Sequence, residues 1–321
     1  MTAEYSKALD TALNGLDWAD WLDRLDEATD ADGYVERLGA SHGAIFVEQN
    51  ATLLVSFEPF ESLRVLTPES QPMGWQLARA LGWSHLCLAC HGETWFRDPR
   101  VFGYFDRLVD DGFFEEFDQV IFYGAGSCGY AAAAFSVAAP GAKVLAIQPQ
   151  ATLDPRMTEW DDRFRAMRRT DFSTRYGYAP DMLDAADEAF VLYDPEIEFD
   201  AMHAALFARS NVTRVRMRFM GARLDRGLLR MNLLLRMLAQ LSAGKLSAFS
   251  LAQLFRARRR DVPYLKAVLN RLEDDGRLRL VARLTQHVLR TTPGPRFRRS
   301  LRAAYERAEE LGIEMPPREA D

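Results

Sequence analysis

Between Trp75 and Phe219 short apolar strands alternate with helical stretches, and this rhythm restricts the fold more than any other feature of the chain. Strands are expected at 85–90, 119–123, 143–147, 189–193 and 212–219. Helical spacing falls at 75–81, 101–109, 127–138, 159–169, 179–186 and 201–209. Strands that are apolar on both faces and separated by helices predict a parallel sheet covered on both sides. Upstream, residues 3–38 carry Leu9, Leu13, Leu16, Trp18, Trp21, Leu22 and Leu25 among acids, which predicts one or two surface helices. Residues 44–47 and 53–57 flank Glu48-Gln-Asn-Ala51 and predict a hairpin. After Gly221 the strands stop, and 227–241, 251–260, 264–272, 278–290 and 297–311 have helical spacing. The expected class is α/β, a mostly parallel sheet with an all-α C-terminal extension. Its expected parts are a helical lead-in (1–40), a sheet domain (41–225) and a basic helical region (226–321).

Charge divides along the same line. Residues 1–208 hold 15 basic and 35 acidic side chains, and residues 209–307 hold 24 basic and 6 acidic, although the whole 321-residue chain carries only −6. Such asymmetry predicts segments with different surfaces. A hydrophobic content of 48% with 20 Phe is enough to build a large core. No apolar run approaches the roughly 18–20 residues that span a bilayer. Three cysteines, an odd number, do not make a disulfide scaffold, and the N-terminus lacks a basic start and apolar core, so a cytoplasmic location is expected.

The segment Tyr123-Gly-Ala-Gly-Ser-Cys-Gly-Tyr is a strand, a glycine turn and a helix start. It admits three readings. In the first it is a nucleophile elbow, with Ser127 attacking an ester or thioester. The expected acid, Asp194, directly follows the 189–193 strand. No histidine follows the next strand, so His203 on the preceding helix would have to serve as the base. The register also counts against Ser127: an elbow runs strand, Gly, one residue, nucleophile, which puts the nucleophile at Gly126. Helix N-capping is the plain alternative for Ser127. In the second reading Gly124, Gly126 and Gly129 form a G-x-G-x-x-G that cradles a nucleotide pyrophosphate. The acid that should close the next strand is replaced by Gln148. In the third, a hydrolase-like core has lost its catalytic groups. That reading accounts for the strand order, the turn, Asp194 and both missing groups.

The stretch 123–141 resembles a hydrolase-like bacterial family of α/β-hydrolase type with a Tyr-Gly-x-Ser-Met-Gly-Gly-Tyr-Ala-Ala elbow. Gln148-Pro-Gln-Ala-Thr-Leu-Asp-Pro155 and Tyr193-Asp-Pro195 resemble its later signatures. The resemblance covers about residues 40–225. It implies an α/β-hydrolase-like sheet, and it lays the family's serine on Gly126. The whole chain is also similar to a group of alphaproteobacterial proteins, some of which are called phosphoadenosine phosphosulfate reductases. The Ser-Gly-Gly-x-Asp-Ser loop and Glu-Cys-Gly-Leu-His segment of that reductase family do not occur here. No cysteine follows Cys128, so that activity is not expected.

Cys87-Leu-Ala-Cys90-His91 matches a haem-attachment string, but a strand puts Cys87 and Cys90 on opposite faces, and neither haem nor metal is expected. No cofactor is expected elsewhere. Ligands of open α/β sheets bind beyond the C-terminal ends of the strands. Candidate ligand-binding residues there are His91, Arg97 and Gln148 with the three turn glycines. The candidate catalytic set is Ser127, Asp194 and His203. Arg256-Ala-Arg-Arg-Arg260 and Arg296-Phe-Arg-Arg299 make the tail basic without a recognition helix, so nucleic acid is not the expected partner. The preferred expectation is a catalytically degenerate protein that binds a small molecule or a protein at the sheet edge.

Overall fold

The computed structural model describes residues 7–292 and 294–317. The chain divides into two compact units between Leu254 and Phe255, so the helices just after residue 225 fall in the same unit as the sheet.

The first unit is built on one eight-stranded sheet. Its strands are β1 (Gly33–Arg37), β2 (His42–Val47), β3 (Thr52–Pro59), β4 (Ser84–Cys90), β5 (Gln119–Ala125), β6 (Lys143–Ile147), β7 (Glu188–Tyr193) and β8 (Val212–Arg216). They lie in the order β1-β2-β4-β3-β5-β6-β7-β8. The β1–β2 and β2–β4 pairs are antiparallel and all others parallel. This is the strand order of the α/β-hydrolase fold. Its helices include α1 (Trp18–Thr29), α2 (Phe60–Leu66), α3 (Trp75–Leu81), α4 (Pro99–Asp110), α5 (Ser127–Phe135), α6 (Pro155–Thr158), α7 (Ala179–Met182) and α8 (Glu198–Leu206). Three more, α9 (Leu224–Arg230), α10 (Leu234–Ser242) and α11 (Ala248–Leu254), close the unit.

Alternation along the strands sorts residues into two layers. Leu86, Leu88 and Cys90 pack with Phe57, Phe105, Tyr130 and Phe135 on the α4 and α5 side. Cys87 and Ala89 pack with Trp21, Phe60, Leu63 and Trp75 on the α1–α3 side. Cys87 and Cys90 therefore face opposite layers. The start of the sheet is tied to the end of α10. Lys143 Nζ donates to Leu241 O at 3.2 Å and Gln119 Nε2 to Ser242 O at 3.0 Å, placing a cation on the negative end of the helix.

Three local expectations are corrected. Residues 33–37, inside the stretch expected to be helical, form the edge strand β1. The hairpin expected across 48–51 does not form. β3 is buried through Leu53–Phe57 and needs a neighbour on each side, which β4 and β5 supply, while β2 pairs with β4. The helix expected over 159–169 is reduced to a 3-10 turn, Arg165–Arg169, and the short α6 lies just before that stretch. The Asp161 carboxylate accepts from the Arg163 amide at 3.0 Å, a local bond that competes with helix.

The second unit is all-helical. A 3-10 turn (Phe255–Arg260) leads into α12 (Val262–Asp274), α13 (Leu278–Leu289) and α14 (Pro295–Glu310). Asp261 caps α12, accepting from the Tyr264 amide at 3.0 Å. Leu265, Leu269, Val281, Val288, Phe297 and Ala304 form its core, and Arg277, Arg279 and Arg283 stay exposed. Among the described residues no helix is long and apolar enough to cross a membrane.

Candidate functional site

The strand-to-helix turn after β5 is sharp. Gly126 stands between β5 and α5 with φ 62° and ψ −126°, a region that side-chain-bearing residues enter only under strain. Its amide donates to Ile147 O at 2.8 Å and its carbonyl accepts from Tyr130 N at 3.0 Å. An elbow holds its nucleophile on such a strained turn, and here that place belongs to Gly126. A Cβ built on Gly126 meets nothing within 4 Å, so the position opens into space. Gly124 and Gly129 do the opposite. A Cβ on Gly124 would lie 2.0 Å from Cys128 O, and one on Gly129 would lie 2.9 Å from Ile147 O. Their missing side chains let α5 lie against β5 and β6.

Next to the turn is a cavity of about 640 Å³ at the C-terminal edge of the sheet. Of the residues selected from sequence, Gly126, Ser127 and Gln148 line it. His91, Arg97, Asp194 and His203 are not among its lining residues. The last two are committed to scaffolding. Asp194 is buried, and its oxygens accept from Gly221 N at 2.7 Å and Glu196 N at 3.0 Å. His203 Nδ1 accepts from Ala151 N at 3.2 Å, and Nε2 lies 3.0 Å from Asp161 Oδ2. An acceptor Nδ1 places the proton on Nε2, which therefore donates to Asp161. Both ring nitrogens are used, and neither meets Ser127 or Asp194, so the three residues of the candidate triad do not form a relay.

Three other candidates hold loops. His91 is half-exposed and bonds Glu61 Oε1 through Nδ1 at 2.7 Å. Arg97 donates to the carbonyls of Asp171 (3.0 Å) and Arg175 (2.7 Å) and to Thr174 Oγ1 (3.2 Å), and its guanidinium lies 5.3 Å from the centre of the Phe172 ring. Gln148 has a positive φ of 46°. Its Nε2 donates to Asp200 Oδ2 (2.6 Å) and Gly221 O (3.0 Å), while Oε1 accepts from Leu224 N (2.8 Å). It fastens the end of β6 to α8 and α9 at the cavity wall.

Sequence reading missed the acidic floor. Glu58, Tyr123, Gln150, Arg163, Asp200, Arg223 and Asp225 all line the cavity. Glu58 is buried at the end of β3. Ser56 Oγ lies 2.5 Å from Glu58 Oε1 and 2.8 Å from His85 Nε2, and Glu58 Oε2 accepts from Met73 N at 3.0 Å. Burial pushes the Glu58 carboxyl above its usual range, opposed by the hydrogen bonds from Ser56, Met73 and Cys87. Burial drives His85 down to about 3, so its imidazole is neutral. The missed signal was the spacing: Ser56 and Glu58, two apart in an apolar strand, share one face.

The sequence matches no protein-family model and no curated protein. Solved structures similar to it include a hyperthermophilic esterase from the archaeon Pyrobaculum calidifontis. Identity is 15%, the match covers 71% of this chain and 92% of that one, and the TM-score is 0.39. EstE1, a thermostable carboxylesterase from a metagenomic library, is 13% identical over 75% of this chain and 98% of its own, with a TM-score of 0.40. Est1E from Butyrivibrio proteoclasticus is 11% identical over 66% of this chain and 100% of its own, also with a TM-score of 0.40.

Proposed function

We propose that this chain is a catalytically degenerate α/β-hydrolase-fold protein that binds a small molecule, without covalent chemistry, in the cavity beside Gly126. The observation that carries the reading is Gly126 itself: the strained turn is kept while the side chain that would attack a substrate is missing. The commitment of His203 to Ala151 and Asp161 supports it, because a serine hydroxyl without a neighbouring base is a poor nucleophile. β3 also runs into α2 through Pro59, which has no N–H to offer a developing oxyanion.

The rival is a serine hydrolase using Ser127, which lines the same cavity. A fluorophosphonate probe separates the two. Wild-type protein is expected to stay unlabelled. Stoichiometric labelling that disappears in Ser127→Ala would overturn the degenerate reading. A nucleotide role for the three glycines is disfavoured because Gly124 and Gly129 serve close backbone packing. It predicts a thermal shift with NAD or ATP, and we expect none.

A further inference from the structure

We propose that the cavity takes its ligand through a primary ammonium group set against Glu58 and Gln150. This names the ligand class of the site proposed above and rests on that reading.

The charges of the wall lead to it. Five carboxyl residues line the cavity, Glu58, Glu61, Glu93, Asp200 and Asp225, against two guanidinium residues, Arg163 and Arg223. Both guanidiniums already have carboxylate partners. Arg163 bonds Asp161 at 2.8 Å and Asp200 at 2.6 Å, and Arg223 lies 3.3 Å from Asp225. Glu58 has only neutral donors: the Ser56 hydroxyl, the Met73 amide and, at 3.7 Å, the Cys87 thiol. The titratable groups facing it are His85 and Cys87 from β4, Tyr123 from β5 and Cys128 from α5, with Asp225 beyond Tyr123. None of these is a cation. A carboxylate held out of water without a counter-ion is costly, and a bound cation is what would relieve it.

Gln150 supplies an independent observation. Only 3% exposed, it lines the same cavity, and its Oε1 has no hydrogen-bond partner. Buried acceptors are rarely left so. Glu58 and Gln150 thus both line the cavity, one a buried carboxyl with no cation beside it and the other a buried amide whose oxygen lacks a donor. An ammonium group brings a positive charge and three N–H donors together. Trp95, Tyr123 and Phe164 in the same lining give the organic part of such a ligand aromatic surface to pack on.

The test is titration calorimetry of the full chain with benzylammonium chloride, benzyl alcohol and sodium benzoate, which share a ring and differ in charge. Saturable binding of benzylammonium alone is expected, weakened at least tenfold in Glu58→Gln and unchanged in Glu48→Gln at the opposite end of the strands. In wild-type protein the affinity for benzylammonium should fall as pH is lowered and Glu58 takes up a proton, by up to about tenfold per pH unit. That readout stands even if Glu58→Gln fails to fold. Benzyl alcohol or benzoate binding as tightly as benzylammonium would overturn the ammonium class while leaving a ligand site. Absence of benzylammonium binding, or an affinity that does not fall as pH is lowered, would overturn it as well. Ammonium binding together with fluorophosphonate labelling of Ser127 would instead overturn the non-catalytic reading and keep the ligand class.

Discussion

Placing a serine at position 126 separates what the turn tolerates from what the site can do. In Gly126→Ser the new Cβ has no atom within 4 Å to strike. The cost is then only the backbone strain of a side-chain-bearing residue at φ 62°, ψ −126°, about 1–3 kcal/mol. Gly124→Ala makes the contrast. Its Cβ would stand 2.0 Å from Cys128 O, 2.4 Å from Cys128 C and 2.9 Å from Gly129 N. All three are backbone atoms, so no flexible side chain can yield and α5 itself must shift. Overpacking of this kind costs about 1–3 kcal/mol and occasionally more, and a backbone clash belongs at or above the top of that range. In a body this large each kcal/mol moves Tm by about 2–4 °C, so Gly124→Ala should lose roughly 6–12 °C or more and Gly126→Ser less. All six tryptophans lie between Trp18 and Trp160, so thermal unfolding followed by tryptophan fluorescence reports on the sheet-bearing unit alone. A Gly124→Ala protein as stable as wild type, or less affected than Gly126→Ser, would refute the packing argument. Gly126→Ser is also expected to remain unlabelled by fluorophosphonate, since no imidazole lines the cavity. Labelling would refute the placement of His203 away from the elbow.

Further outcomes follow from the scaffold contacts. Burial opposes ionisation of Asp161, but its bonds with His203 and Arg163 outweigh burial and hold the carboxyl below its usual range. The stability this brings is present above the unfolded value of about 3.9 and is lost as pH falls through the lower folded value. The advantage of wild type over Asp161→Asn in denaturant midpoint should therefore shrink below about pH 4, and an advantage held constant to about pH 2 would count against the pairing. Asp194→Asn turns an amide NH₂ toward the amide of Gly221 or Glu196 and should cost about 1–3 kcal/mol of stability. An unchanged Tm would show that those bonds matter little. Arg97→Ala should cost about 1.5–3 kcal/mol and expose residues 171–176 to limited proteolysis, because one guanidinium holds that loop at three points. A proteolysis pattern identical to wild type would argue against the clamp.

How far the site could be read in advance differs residue by residue. Counting from the end of an apolar strand put the nucleophile position on Gly126, and the backbone angles there agree with the count. Asp194 was found by strand order, since it follows β7 directly. The counting could not say that its carboxylate would be spent on Gly221, because hydrogen-bond partners 27 residues apart leave no local mark. Glu58 was hidden differently. A Glu in an apolar strand looks like an outward-facing polar residue, and only the closure of both sheet faces turns it into the buried floor of a cavity.

Local chemistry alone decided the alternation of strands and helices, since backbone preference and the 2.0 and 3.6 periods act over a few residues. It decided the bounds of β6 to the residue and the glycine turn with its open position. Tertiary structure decided which strands pair, which is why the hairpin across 48–51 gave way to β3 lying between β4 and β5. It also decided which partners His203 takes. Whether a histidine serves a serine depends on a few ångströms between residues distant in sequence, and His203 settles against Asp161 and Ala151 instead. The acidic cavity is the sum of carboxyl groups from β3, α2, the segment after β4, α8 and α9, none of which announces its neighbours until the sheet has brought them together.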